Sequence, residues 1–289
     1  MNGPSPLDGQ FRARCAALAR RLASRLRKGA ADGGRSPSEG RVEFREHRLY
    51  VPGDDLRDLD WNAYARLDTW VTKSRTRDEA PELLLIIDRS GSMGPPGSDQ
   101  DRMTLQWGCA AGFVALAASG RVTLAIPDRS GVLKTVFRGQ GTSNIPAWVR
   151  AIEALPLPQG SQGALGLSEW PSSGPGVALL LLTDALGAGA PAGIATRVAS
   201  APCGGTIGLV MAHARPQHSG RGRIIGLEGE PELECDDLSA IEKIVAEERK
   251  RHVESIQSSC RRHGSRCVVG TAGDVVEKLV TSWVLGGNS

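Results

Sequence analysis

The chain has 289 residues, of which 40% are hydrophobic and 23% are charged, and a formal net charge of +3. This composition excludes wholesale disorder, and the length suits one large α/β domain with a smaller appendage, or two ordinary domains. So small a net charge does not by itself indicate binding to nucleic acid.

The cysteines and the apolar runs predict a compartment. The six cysteines form neither a C-x-x-C pair nor a Cys/His cluster at zinc spacing, so we expect reduced thiols and a cytoplasmic protein. No secretory signal stands at the N-terminus. The longest apolar run, Val177 to Leu182, is far shorter than the roughly 20 residues of a membrane helix, which predicts a soluble protein without a transmembrane segment.

A basic amphipathic helix is predicted from Phe11 to Lys28. Leucines recur every four residues at 18, 22 and 26, and the segment carries seven basic and no acidic residues. Such a helix docks on a protein, stays solvated, or contacts anionic lipid or nucleic acid. Without interleaved aromatic residues we expect no nucleic acid partner, while peripheral membrane contact stays open. A Gly/Ser/Pro linker at 32–40 follows, so residues 1–37 are predicted as helix and linker.

Residues 38–80 are predicted to form a small β-rich lobe, in which strands at 42–50 and 70–77 flank a turn-rich acidic segment. This segment holds four aspartates around Arg57 (Asp54, Asp55, Asp58 and Asp60). We expect them to form turns and pair with Arg57, the alternative being a second cation site. Three aromatic residues of the lobe (Tyr50, Trp61 and Trp70) either pack or form a partner surface.

From residue 81 to 289 strands alternate with helices, which predicts a doubly wound, mainly parallel α/β sheet flanked by helices. Two continuous aliphatic runs, ending at Asp88 and at Asp184, indicate strands buried on both faces. The stretch 156–176 is predicted as a long surface loop, and Asp274 as the cap of the closing helix.

Three loops of this domain carry oxygen ligands, and at the carboxyl ends of parallel strands such side chains collect. The first loop offers Asp88, Ser90 and Ser92, the second Thr142, and the third Asp184. Carboxylates and hydroxyls suit Mg²⁺ or Mn²⁺ better than zinc. Alternatively, the first loop only caps the next helix, Ser143 replaces Thr142, or Asp184 is an ordinary turn residue.

Two carboxylates roughly neutralise the charge of a divalent cation, and hydroxyl ligands add no further negative charge. The metal ion therefore remains electrophilic. A carboxylate from another molecule can then replace water at one of its coordination positions. The sequence has no phosphate loop and no G-x-S-x-G elbow, and its five histidines are scattered, so we expect a binding protein and not an enzyme. The alternative is a metal-dependent phosphohydrolase of the haloacid-dehalogenase type, but that type requires a second Asp where Ser90 stands.

The segments DRSGSM after an aliphatic strand, GTSN before a helix, and LLLLTD resemble the metal-ion-dependent adhesion site (MIDAS) of von Willebrand factor A-type domains. The resemblance implies a von Willebrand factor A-like fold for residues 81–289. It also implies a metal held by five residues and completed by an acidic side chain of a protein partner (Asp88, Ser90, Ser92, Thr142 and Asp184). Many members have Gly after the last aspartate, where this sequence has Ala185.

Residues 38 to 285 resemble the bacterial family catalogued as domain of unknown function 58, most specifically in GDD-x-R-x-x-D-W. Members of that family are described as partners of MoxR-type AAA+ ATPases in assembly or chaperone-like tasks. The resemblance therefore implies an adaptor for such an ATPase.

Overall fold

The computed structural model of the chain describes residues 5–31, 47–49, 64, 66, 70–73, 82–128, 131–158, 177–186, 191–201, 204–212, 220–224 and 232–286. The chain divides into two compact units, residues 35–79 and residues 1–34 together with 80–289. The N-terminal helix therefore belongs to the same unit as the α/β domain.

The smaller unit contains two short strands, β1 (His47–Leu49) and β2 (Val71–Lys73), which pair in antiparallel register. Both lie inside the segments predicted as strands. The rings of Tyr64 and Trp70 are 5.1 Å apart between their centroids. The acidic segment with Arg57, as well as Tyr50 and Trp61, lies outside the described residues.

The larger unit alternates helices and strands. It begins with α1 (Gly9–Ala31) and continues with β3 (Glu82–Ile87), α2 (Asp99–Ala117), β4 (Arg121–Pro127), β5 (Leu133–Gln140), α3 (Ile145–Glu153), β6 (Val177–Thr183), α4 (Pro191–Ala199) and β7 (Gly205–Met211). The final elements are β8 (Gly222–Ile224), β9 (Leu233–Cys235), α5 (Leu238–His263), β10 (Arg266–Thr271) and α6 (Val276–Leu285).

Six strands form one sheet in the order β10-β7-β6-β3-β4-β5, in which every pairing is parallel except that of the edge strand β5 with β4. β8 and β9 form a separate antiparallel pair. The predicted α/β class with a mainly parallel sheet is confirmed.

Both faces of this sheet are buried. Side chains of β3 alternate between two apolar clusters, with Leu85 and Ile87 on the face covered by α2, α3 and α6, and Leu84 and Ile86 on the face covered by α4 and α5. Because both faces lack solvent, the strand is aliphatic at every position from Leu83 to Ile87. The doubly wound arrangement follows from this two-sided cover.

Helix α1 uses its apolar face inside the protein. Its buried side chains pack on α2 and α6 (Phe11, Cys15, Leu18, Ala19 and Leu22). Arg12 and Arg14 form ion pairs with Glu153 and Glu277 at 3.2 and 3.3 Å. The apolar stripe that suggested membrane or partner contact is therefore occupied, and an exposed basic face is left. Among the described residues, no helix is long and apolar enough to cross a membrane.

The expected cap of the closing helix is wrong. Helix α6 starts at Val276 with Val275 at its N-cap, and it has no side-chain cap. The Oδ2 atom of Asp274 instead accepts a hydrogen bond from the backbone N–H of Thr271 at 2.7 Å. The carboxylate thus closes the turn after β10.

Candidate metal-binding site

Strands β3 and β6 end side by side. They pair in parallel with Ile87 opposite Leu182, and the N–H of Asp88 donates to the carbonyl of Leu182 at 2.9 Å. The loops that carry Asp88 and Asp184 therefore leave the same edge of the sheet, where ligands of open α/β proteins bind.

Asp88 is buried and oriented by two neutral donors. Its Oδ2 atom accepts from the Thr183 hydroxyl at 2.7 Å, and its Oδ1 atom accepts from the N–H of Ser90 at 2.9 Å. Each carboxylate oxygen has room for more than one partner. These contacts fix the direction of the carboxylate and leave it able to bind a cation.

The hydroxyls of Ser90 and Ser92 lie 3.1 Å apart, where Ser90 precedes a short turn at 91–93 and Ser92 lies within it. Neighbouring ligands of an Mg²⁺ octahedron with bonds of 2.0–2.1 Å are separated by about 2.9 Å. The two hydroxyls, which form a hydrogen bond with each other, thus also have the spacing of two adjacent Mg²⁺ ligands. The donor set fits the predicted metal.

The alternative that this loop caps the following helix is contradicted. Helix α2 has Ser98 at its N-cap, and the Ser98 hydroxyl accepts from the N–H of Asp101 at 3.2 Å. Ser90 precedes only the short turn and makes no side-chain cap bond. Because the helix has its own cap, Asp88, Ser90 and Ser92 are not needed for that task.

Asp184 is buried at the end of β6. Its Oδ1 atom accepts from the N–H of Leu186 at 3.0 Å, and its carbonyl oxygen lies 2.9 Å from Nε2 of His252 on α5. Ala185 adopts a left-handed backbone with φ of 59°. Glycine enters this conformation at little steric cost, whereas alanine carries a Cβ that makes it unfavourable.

Thr142 does not lie with these residues, and the prediction that it shares their site is wrong. β5 is antiparallel to β4, with Gln140 opposite Arg121, and Arg121 is itself opposite Glu82 at the start of β3. Thr142, two residues beyond Gln140, therefore lies at the amino ends of the parallel strands. Six residues of strand, or about 20 Å, separate this edge from Asp88. The same holds for Ser143.

A buried ion pair supports the first loop, and the sequence analysis missed it. Arg89 and Asp101 are 2.7 Å apart, with side chains only 2% and 5% exposed. Arg89 also donates to the carbonyl of Pro156 at 2.8 Å, and Asp101 accepts from the N–H of Gly97 at 2.8 Å. The charge of Arg89 is thus neutralised by Asp101, and the hydrogen bond to Pro156 holds the loop against the segment that follows α3.

Within the described residues, no three His, Cys, Asp or Glu side chains gather as a metal cluster. The candidate site has two carboxylates, and its other donors are hydroxyls. Such a set is typical of Mg²⁺, which keeps several waters, and unlike the nitrogen and sulfur ligands of zinc.

Thr183, which directly precedes Asp184 at the end of β6, is a further residue of the site, and the sequence analysis did not predict its contact with Asp88. Its hydroxyl donates to Asp88 and accepts from the N–H of Ala185 at 2.9 Å. Replacing Thr183 with valine removes this hydroxyl, so that the buried Asp88 carboxylate loses a donor and the buried N–H of Ala185 loses its acceptor. We expect the free energy of unfolding, measured by urea denaturation, to fall by about 2 kcal/mol.

Thr206 on β7 offers a matched control. It is fully buried, and in the described part of the chain its hydroxyl has no hydrogen-bond partner. Thr206→Val is therefore expected to leave stability unchanged or to raise it by up to about 1 kcal/mol. Equal losses in the two variants would contradict the bridging role of Thr183.

Comparison with known proteins shows the family of the chain. The model of the family described as "Protein of unknown function DUF58" matches residues 46–196. Uncharacterised proteins of Mycobacterium bovis and Mycobacterium tuberculosis are 31% identical to the chain in an alignment 137 residues long, which covers 41% of this chain. The chain spans 43% of the length of these curated relatives.

Two solved structures are similar to this chain, each at 15% sequence identity. Each match covers 72% of this chain and the whole of the solved chain. One is an aerotolerance-related membrane protein from Bacteroides fragilis, with a TM-score of 0.43, and the other is the conserved hypothetical protein BatB from Bacteroides thetaiotaomicron, with a TM-score of 0.41. Since the family model matches more than half of the residues, the chain belongs to the DUF58 family.

Proposed function

We propose that this chain is a metal-dependent protein-binding module with a von Willebrand factor A-like site. In this proposal Asp88, Ser90, Ser92 and Asp184 hold Mg²⁺ or Mn²⁺, and an acidic side chain of a protein partner binds the metal. The observation that carries it is the spacing of 3.1 Å between the hydroxyls of Ser90 and Ser92, which is that of adjacent octahedral ligands, in a loop where the Asp88 carboxylate accepts from the N–H of Ser90.

The charges of the site favour capture over catalysis. Asp88 and Asp184 together balance the charge of a divalent cation, and Arg89, the nearest arginine in sequence, is paired with Asp101. The hydroxyl ligands are neutral, so the metal would keep its attraction for another anion. Mg²⁺ retains water at positions that the protein does not fill, and a partner carboxylate can replace one of these waters.

The proposed partner is a MoxR-type AAA+ ATPase, for which the chain would act as an adaptor or chaperone-like factor in the assembly of protein complexes. Support for this step comes from the family resemblance and not from the geometry. The proposed metal site and the proposed identity of the partner are therefore tested separately.

Capture of the partner tests the proposal. The tagged chain is incubated with a MoxR-type ATPase from the same genome, with Mg²⁺ or with EDTA, and the bound ATPase is quantified. We expect capture with Mg²⁺ only, its loss in the double variant Asp88→Asn with Ser90→Ala, and its retention in Thr142→Val. Capture by the double variant, or by the wild type in EDTA, at the level of the wild type with Mg²⁺ would refute metal-dependent binding.

The phosphohydrolase alternative is tested on a panel of phosphate esters with Mg²⁺. The position that a haloacid-dehalogenase-type enzyme gives to its second aspartate holds Ser90, whose hydroxyl contacts Ser92. We expect no turnover. Turnover that disappears in Asp88→Asn would replace the binding module with the enzyme.

A further inference from the structure

Helix α5 is longer than the sheet on which it packs. A tight turn at 264–265 joins its end to the start of β10, so the helix ends at the amino ends of the parallel strands. His252 marks the level of their carboxyl ends, because its Nε2 atom lies 2.9 Å from the carbonyl oxygen of Asp184. Residues 238–251 precede His252 and form about 20 Å of helix. This segment, which we call the overhang, therefore extends past the edge that holds the candidate metal site.

Burial along α5 agrees with this position. The buried residues of the helix are Ile256, Ser259 and Cys260, which all follow His252. The structure describes every residue of the overhang, and none of them is buried. Two of its aliphatic side chains are among the most exposed in the chain, Ile244 at 60% and Val245 at 40%. The overhang thus leaves apolar surface in solvent, which marks interaction sites more often than the solvated face of a helix.

An apolar stripe of the overhang faces the metal site. Val245 precedes His252 by seven residues, or two turns, and so shares the face of the helix that contacts Asp184. Ile241 continues this face one turn further on. In the second half of the helix the same face carries Ile256, which lies in the apolar core. The stripe that packs on the sheet therefore continues beyond the end of the sheet, above the edge at which Asp184 lies.

A second exposed apolar side chain lies beside the metal site itself. Leu186 follows Asp184 by two residues and is 59% exposed, whereas Ala185 between them is 3% exposed. The N–H of Leu186 donates to Oδ1 of Asp184 at 3.0 Å, so the proposed metal ligand fixes the turn that presents the leucine. Val275, which follows β10 at the same edge, is 48% exposed. Apolar side chains from three separate elements thus border one edge of the sheet.

We infer that the metal site, Leu186 and the overhang form one docking surface, which binds a protein segment with an acidic residue flanked by apolar side chains. The acidic residue binds the metal, and its apolar neighbours contact Leu186 and Val245. This inference rests on the proposed function, because the metal supplies the charge that selects the acidic residue. A small free carboxylate has no group that would use the apolar surface.

The helix geometry limits the spacing of the bound segment. Val245 lies about 10 Å of helix from His252, the residue at the level of Asp184. An extended chain covers this distance in about three residues. The apolar side chain that reaches the overhang is therefore expected three or four positions from the acidic residue.

Selection from a library of random 12-residue peptides tests the inference. Phage that display the peptides bind to the immobilised full chain with Mg²⁺ and are released with EDTA. We expect the released peptides to share an Asp or Glu with an apolar residue three or four positions away. The affinity of one such peptide, labelled with fluorescein, is then measured by fluorescence anisotropy for the wild type and its variants.

The variants separate the apolar surface from the metal. We expect Leu186→Ser and Val245→Ser to bind the labelled peptide at least about tenfold more weakly and to bind Mg²⁺ like the wild type. The matched control is Leu285→Ser, with no change in either affinity. Leu285 is 47% exposed at the end of α6, near the amino ends of the strands.

Each contrary result has a definite meaning. Wild-type peptide affinity in both Leu186→Ser and Val245→Ser, or released peptides with an acidic residue and no common apolar neighbour, would overturn the docking surface and leave the metal site in place. Peptides that bind equally well in EDTA or to Asp88→Asn would refute the proposed function instead. Concentration-dependent dimers that Val245→Ser abolishes, with no peptide released by EDTA, would overturn the inference and assign the surface to a second copy of the chain.

Discussion

Replacing Asp101 with alanine is expected to lower the free energy of unfolding by about 3–5 kcal/mol, because it leaves the buried guanidinium of Arg89 without its counter-charge. Arg89 is 2% exposed and lies 2.7 Å from Asp101. The variant also takes away the acceptor for the N–H of Gly97. Denaturation in urea measures the loss.

The matched control is an ion pair of nearly the same length at the surface. Arg223 and Glu232 are 2.8 Å apart, with side chains 61% and 52% exposed. Water already solvates both charges, so Glu232→Ala is expected to change stability by no more than about 0.5 kcal/mol. A loss in Asp101→Ala no larger than in this control would show that the buried pair does not support the loop.

Mg²⁺ binding by Asp88→Asn is expected to be about a hundredfold weaker than by the wild type, which corresponds to about 2.7 kcal/mol of binding free energy. The substitution keeps the size of the side chain and replaces its carboxylate with a neutral amide. The proposed metal site thereby loses one of its two negative charges. Isothermal titration with MgCl₂ measures the affinity, and circular dichroism without metal shows whether the variant folds.

Thr142→Val serves as the control for the geometry of the site. Its position at the opposite edge of the sheet predicts an Mg²⁺ affinity equal to that of the wild type. A comparable loss in Thr142→Val would contradict the antiparallel register of β5. Unchanged binding in Asp88→Asn would instead remove Asp88 from the site and, with it, the proposed function.

The fold class could be predicted because the strands of a parallel sheet covered on both faces are aliphatic at every position. The run before Asp88 and the run before Asp184 have this pattern, and in the structure they are neighbours in the sheet. Their shared direction places both aspartates at one edge. This part of the candidate site therefore followed from local pattern and one topological rule.

Thr142 shows where that rule fails. GTSN follows a strand and precedes a helix, just as a ligand loop would, but its strand runs in the opposite direction to the rest of the sheet. A strand has the same local pattern of side chains whether it runs up or down. Only its pairing with β4 decides the edge at which it ends.

The contacts of Arg89 and Thr183 that support the site could not be predicted from the sequence either. The partners of Arg89 are Asp101 and the carbonyl of Pro156, 12 and 67 positions away. Thr183 contacts Asp88 across 95 positions. Adjacency of β3 and β6 would have been the signal for Thr183, since residues that follow paired parallel strands meet. No comparable signal in the sequence indicates the pairing of Arg89 with Asp101.

The sequence by itself determined the α/β class, the two buried strands that end at Asp88 and Asp184, and the amphipathic character of α1, because each depends on side chains close together along the chain. The tertiary structure decided three other features. It seats the apolar face of α1 in the core, sets Thr142 at the far edge of the sheet, and joins Arg89 to Asp101. Each of these depends on which elements become neighbours, and that is settled only when distant segments pack.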